Sequence, residues 1–152
     1  MPYASQGSTS GPSSALRWQS TLIAAEREVS SCVAATFEVL LLAMQQCPAL
    51  VDALDVKAIK RLFARTYIVR ADEGWESGVA GGLVEAGVAD FVDWDDARCG
   101  DFAQVQWNAF ASPWSGHAVV LLSSPMESPK GGGSVVWDFS ANVGRPAFLP
   151  PD

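Results

Sequence analysis

The chain predicts an α+β fold in which helices come first and an antiparallel sheet follows. Three observations predict it. A long apolar helix pattern lies near residue 40, a second helix pattern follows it, and alternating or short apolar runs fill the last third. Helical periods followed by strand periods, without βαβ alternation, favour an antiparallel sheet. At 152 residues the chain is one ordinary domain, residues 1–152.

The elements follow in order. Residues 1–14, "MPYASQGSTSGPSS", are rich in Ser, Gly and Pro and are expected to be loop. "ALRWQSTLIAAEREV", 15–29, has helical character in its later part. The central helix is expected over 31–46. Val33, Phe37, Leu40, Leu41 and Met44 form one stripe, and Ala34, Ala35, Val39, Leu42 and Ala43 fill the other side. Such a helix belongs at the centre of its domain. Ser30 or Ser31 supplies its cap, and "CP" at 47–48 ends it.

A second helix is expected over 55–68, on the stripe Val56, Ile59, Leu62 and Phe63. A short glycine-rich helix is expected near 79–86. "DFAQVQW", "HAVVLLS" and "GGSVVWDFSAN" then read as strands, the last two joined by the polar hairpin loop "SSPMESPKGGG".

Composition excludes several functions. Net charge is −7, and the ten basic residues are scattered, which suits neither nucleic acid nor an anionic membrane surface. No apolar run reaches the roughly 20 residues of a membrane span. The N-terminus has no basic and apolar signal pattern. The expectation is a protein made in the cytoplasm, staying there or leaving by a non-Sec route.

"GVAGGLVEAG" lacks the arrangement of a dinucleotide site, and no G-x-S-x-G element marks a serine hydrolase. Three cysteines, Cys32, Cys47 and Cys99, form no disulfide framework and show no zinc spacing with the single His117. The acidic run "DWDDARCGD" reads as a solvated loop rather than a metal site. No cofactor or metal is expected. Cys47 and Cys99 read as buried, inert thiols.

Cys32 differs in position. It falls in the first turn of the central helix, where unpaired amides and the helix dipole favour a thiolate, the reactive form. A working nucleophile also needs an imidazole, and the chain supplies one, His117, at the start of a strand. Residue 117 points the same way as Val119 and Leu121. If that face packs on the helix start, His117 meets Cys32. On the next strand Asp138, Ser140 and Asn142 share a face, so Asp138 or Asn142 could orient the imidazole. Asp101 reads as a turn or strand-start residue. Most tryptophans read as core, with Trp114 at a cleft rim.

The segments "SSCVAATFEVLLLA", "DARCGDFAQVQW" and "SGHAVVLLS", in this order, resemble the papain-like NlpC-type cysteine peptidases and amidases of bacterial cell walls. Gly100, Asp101, Gly116 and His117 match the family's "GD" and glycine–histidine pairs. Cys99 stands where the family usually has proline, and Val33 where it often has Ser or Gly.

The resemblance implies a papain-like domain with N-terminal helices and a central helix carrying the cysteine, packed on a small antiparallel sheet. It implies hydrolysis of amide bonds in peptidoglycan peptides, with Cys32 as nucleophile and His117 as base. Asn142 would be the third member, with Asp138 in reserve, and Ser31 and Trp114 would be substrate contacts.

By analogy alone, such a small enzyme looks like a monomeric antibacterial effector injected by type VI secretion, blocked by a cognate immunity protein. Two rivals stand beside it. One is a papain-like peptidase or acyltransferase with a non-wall substrate, and the other is a catalytically silent papain-like binding module.

Overall fold

A computed structural model of the chain describes residues 10–27, 29–66, 78–106, 116–127, 134–135, 138–142 and 145–149. Everything below concerns those residues. They form a mixed α+β arrangement in which helices and a short hairpin pack on one face of an antiparallel sheet.

The first elements overturn the helix expected after residue 15. β1 (Ser10–Gly11) pairs in parallel with β4 (Val29–Ser30), and β2 (Leu16–Trp18) pairs with β3 (Thr21–Ala24) as an antiparallel hairpin. Leu16 and Trp18 are buried while Arg17 is exposed, which is strand alternation. Gln19 and Ser20 carry φ of 46° and 69°, the left-handed pair of a two-residue hairpin turn. Asn-Gly is the usual marker of such a turn, and its absence here hid the hairpin. Trp18 is held by its indole N–H, which donates to the Leu54 carbonyl at 2.9 Å.

The central helix, α1 (Cys32–Gln45), appears within a residue of its expected bounds. Ser31 is its N-cap, in extended backbone, and its hydroxyl accepts from the Ala34 amide at 3.3 Å. Phe37, Leu40, Leu41 and Met44 face the core, whereas Leu42 is 57 % exposed. The helix is therefore covered on one side rather than all round.

Its one acidic residue, Glu38, has a definite task. The Ser13 amide and hydroxyl donate to Glu38 Oε2 at 3.1 and 2.9 Å, and the Ser14 hydroxyl donates to Oε1. The segment before the hairpin is thereby strapped to α1.

After Cys47 a further helix begins at once, α2 (Pro48–Ala53), with Pro48 in its first turn. The proline expected to end one helix also starts the next, because its fixed φ suits a first turn. α3 (Val56–Thr66) is capped by Asp55, whose carboxylate accepts from the Ala58 amide at 2.6 Å. Its Phe63 meets Phe37 edge-on, ring centres 4.9 Å apart.

α4 (Gly78–Glu85) packs on α3. A side chain at Gly82 would come within 3.3 Å of Leu62 and 3.4 Å of Arg65, so the glycine sets how closely the helices approach. Arg65 and Glu85 close the contact with an ion pair at 2.9 Å.

The sheet comprises β5 (Phe102–Gln106), β6 (Gly116–Leu121), β9 (Asp138–Asn142) and β10 (Arg145–Leu149), in the order β10-β9-β6-β5, all antiparallel. β7 (Met126–Glu127) and β8 (Ser134–Val135) form a small ladder between β6 and β9 in the chain. Two clusters mark the sheet's faces. Ala118 and Phe102 belong with Phe37, Leu40, Leu41, Ile59 and Leu83 in the main core. Val119, Leu121 and Ala103 pack with Ala97 in a second, smaller cluster. No helix among the described residues is long and apolar enough to cross a membrane.

Candidate functional site

Cys32 is the first residue of α1, a half-buried free thiol. The sequence puts it there through Ser31, whose cap starts the helix one residue earlier. Ser31 was expected to touch substrate. It is instead 3 % exposed, and its hydroxyl is engaged in the cap.

One turn along α1, Thr36 lies on the same side of the helix as Cys32. Its hydroxyl, fully buried, donates to the Ala118 carbonyl at 3.0 Å. That bond crosses the helix–sheet interface and lands on the neighbour of His117. The bond ties this turn of α1 to the backbone of β6.

The same interface corrects one expectation. The face of β6 that meets α1 is that of Ala118, whereas Val119 and Leu121 pack on the opposite side. By the two-residue period His117 shares the side of Val119 and Leu121. The condition for His117 to meet Cys32 was that this face packs on the helix start, and Val119 and Leu121 pack away from it. Sequence period groups residues by face but says nothing about which face a helix covers.

His117 is 7 % exposed. Burial pushes its pKa below the ordinary imidazole value, and the charge of Asp138 raises it part of the way back. Burial thus favours the neutral ring, the form able to take up a proton.

Asp138 stands opposite Leu121 in the β6–β9 pairing. Leu121 lies four residues beyond His117, about 13 Å along the strand. Asp138 Oδ1 is buried and accepts no hydrogen bond from the described residues. Asn142 ends β9. Its backbone is in β9, and its side chain, like the whole of Trp114, lies outside what the structure describes.

The "GD" pair has a structural role. Gly100, at φ 98°, donates its amide to the Leu121 carbonyl at 2.8 Å, and the Asp101 carbonyl accepts from the Leu121 amide at 2.8 Å. Asp101 Oδ2 accepts from the Arg98 amide at 2.8 Å. This closed turn fixes the start of β5 against the end of β6.

Cys47 is half-buried at the cap of α2. Cys99 is exposed in that Arg98–Asp101 turn, which corrects its expected burial. Compared with known protein families, with curated proteins and with solved structures, the chain matches none.

Proposed function

We propose that this protein is a papain-like cysteine hydrolase that cuts peptide amide bonds, with peptidoglycan stem peptides or cross-links as its substrate. The observation that carries the reading is the Thr36–Ala118 hydrogen bond, which ties the turn behind Cys32 to the residue beside His117.

In the proposed reaction Cys32 Sγ attacks the amide carbonyl carbon and His117 takes the thiol proton. The tetrahedral oxyanion is held by backbone N–H groups at the helix start. Collapse expels the amine, which leaves with the proton from His117, and a thioester remains on Cys32. Water, deprotonated by His117, then releases the acid. Asn142 would orient the imidazole, and Asp138 would stabilise its protonated form through its charge.

Digestion of purified peptidoglycan tests this. Mass spectrometry should find newly freed amino groups from cut stem or cross-link amides, and Cys32→Ala should lower their yield at least about a thousandfold. Intact muropeptides after treatment with folded protein would remove the wall substrate. Delivery to a bacterial periplasm should then lyse cells, with cytoplasmic expression harmless, as an injected effector requires.

A second reading has its own observation, the placement of the His117 stripe away from α1. It makes the chain a silent papain-like module that binds a partner. Alkylation separates the two in a Cys47→Ser, Cys99→Ser background, which removes the exposed competitor. A working pair makes the rate at Cys32 depend on His117, with His117→Gln slowing it about tenfold or more. An unchanged rate favours the silent module.

A further inference from the structure

The acidic run after α4 has no part in the reading above, yet it borders a hollow. Between the C-terminal half of α4, the segment Ala89–Trp94 and β5 lies a groove of about 530 Å³. That is within the range of ligand pockets. Leu83, Val84, Phe102 and Leu121 contribute apolar surface to its lining. Val92 and Trp94 stand at its margin, 56 % and 44 % exposed.

The lining carries three carboxylates, Asp90, Asp93 and Asp101, and no lysine or arginine. Asp101 is engaged with the Arg98 amide. Asp90 and Asp93 are exposed. The groove therefore suits a cation whose stem is apolar, with the Trp94 ring offering a further attraction for positive charge.

Its remaining wall is strand backbone. Residues 100–104 line the groove, and β5 is the outermost strand of its sheet among the described residues. An outer strand beside an apolar groove is the setting in which an extended segment adds as a new strand. Main-chain hydrogen bonds then supply affinity, and alternate side chains supply selectivity.

We propose that this groove docks an extended segment of a partner protein that alternates basic and apolar side chains. The segment pairs with the outer edge of β5, its apolar side chains enter over Leu83 and Phe102, and its cation sits between Trp94 and Asp93. The groove runs from Leu121, about 13 Å along β6 from His117, to Gln104, which pairs with Ala118 beside that histidine, so it borders the candidate site. The docking itself requires no catalysis, so it is tested apart from the hydrolase reading.

The test uses the full chain carrying Cys32→Ala, so that no peptide is cut. The probe is a blocked, fluorescently labelled hexapeptide of alternating lysine and valine. Fluorescence anisotropy should show binding that weakens with salt. The glutamate–valine counterpart should not bind. N-methylation of alternate amides removes the donors that edge pairing needs and should weaken binding about tenfold. Asp90→Asn with Asp93→Asn, both exposed positions, should also weaken it about tenfold.

Amide NMR shifts should cluster at residues 89–94 and 100–104. Equal binding of the glutamate peptide, indifference to N-methylation or to the two carboxylates, shifts centred elsewhere, or no binding at millimolar peptide would each overturn the proposal. Peptidoglycan digestion by the wild-type chain reads the other hypothesis, and neither result bears on the other.

Discussion

The two faces of β6 are built differently. On one, Ala118 meets a core of α1, α3, α4 and the β2–β3 hairpin, with Trp18, Phe37, Leu41 and Ile59 all essentially sealed from solvent. On the other, Val119 and Leu121, 3 % and 1 % exposed, pack with Ala97 and Ala103. The first face holds the fold together. The second shares its side of the strand with His117, the one imidazole of the chain. The division teaches that stability and candidate chemistry meet at the strand's beginning, where Thr36 links the sealed face to the neighbour of the histidine.

The sharpest way to break this contrast is a pair of truncations. Phe37→Ala removes a ring packed edge-on to Phe63 and should cost about 3–5 kcal/mol of unfolding free energy. Val119→Ala deletes only two methyl groups and should cost about 2 kcal/mol or less. Urea denaturation of both variants measures the difference, and equal losses would mean that the second face is a full core in its own right.

Thr36→Val keeps the shape and deletes the hydroxyl. It should cost about 1–2 kcal/mol by leaving the Ala118 carbonyl without that donor. If the hydrolase reading holds, amide cleavage should fall by more than this loss predicts, because the turn behind Cys32 is no longer pinned beside His117.

The smallest effect concerns protons. With one histidine in the chain, an NMR titration yields one imidazole curve, and its midpoint should lie below the ordinary value. Asp138→Asn removes the charge that raises it, so the midpoint should fall further. The sign for stability follows. Between the unfolded and folded values the unfolded chain binds more protons, so unfolding free energy falls as pH drops through that window, which lies below about 6.5. Denaturation at stepped pH should show this slope, and His117→Gln should abolish it. A midpoint above the ordinary value would contradict the burial of the neutral ring.

Much of the architecture can be read directly from periodicity. α1, α3 and α4 fall close to their apolar stripes, and Ser31 marks the start of α1. β5, β6 and β9 fall in their expected runs. The misses have local causes. The β2–β3 hairpin turns on Gln19 and Ser20, residues that rarely accept positive φ and so give no warning. α2 was hidden because Pro48 reads as a stop signal when it follows a helix. β10 carries a proline at position 146, which argues against a strand except at an edge, where β10 lies among the described residues.

Residues 32 and 117 could be singled out from residue type and position alone, since a helix start and a lone imidazole are visible in one dimension. Their relation was not visible. Short-range rules act between neighbours in sequence, through backbone sterics, caps and the pitch of each element, and they sort side chains into stripes. Which stripe of β6 faces α1 depends on how distant surfaces share buried area, and a shift of one residue exchanges the two. Packing resolved that choice in favour of Ala118. The same long-range settlement buried Ser31, exposed Cys99 and opened the groove beside β5.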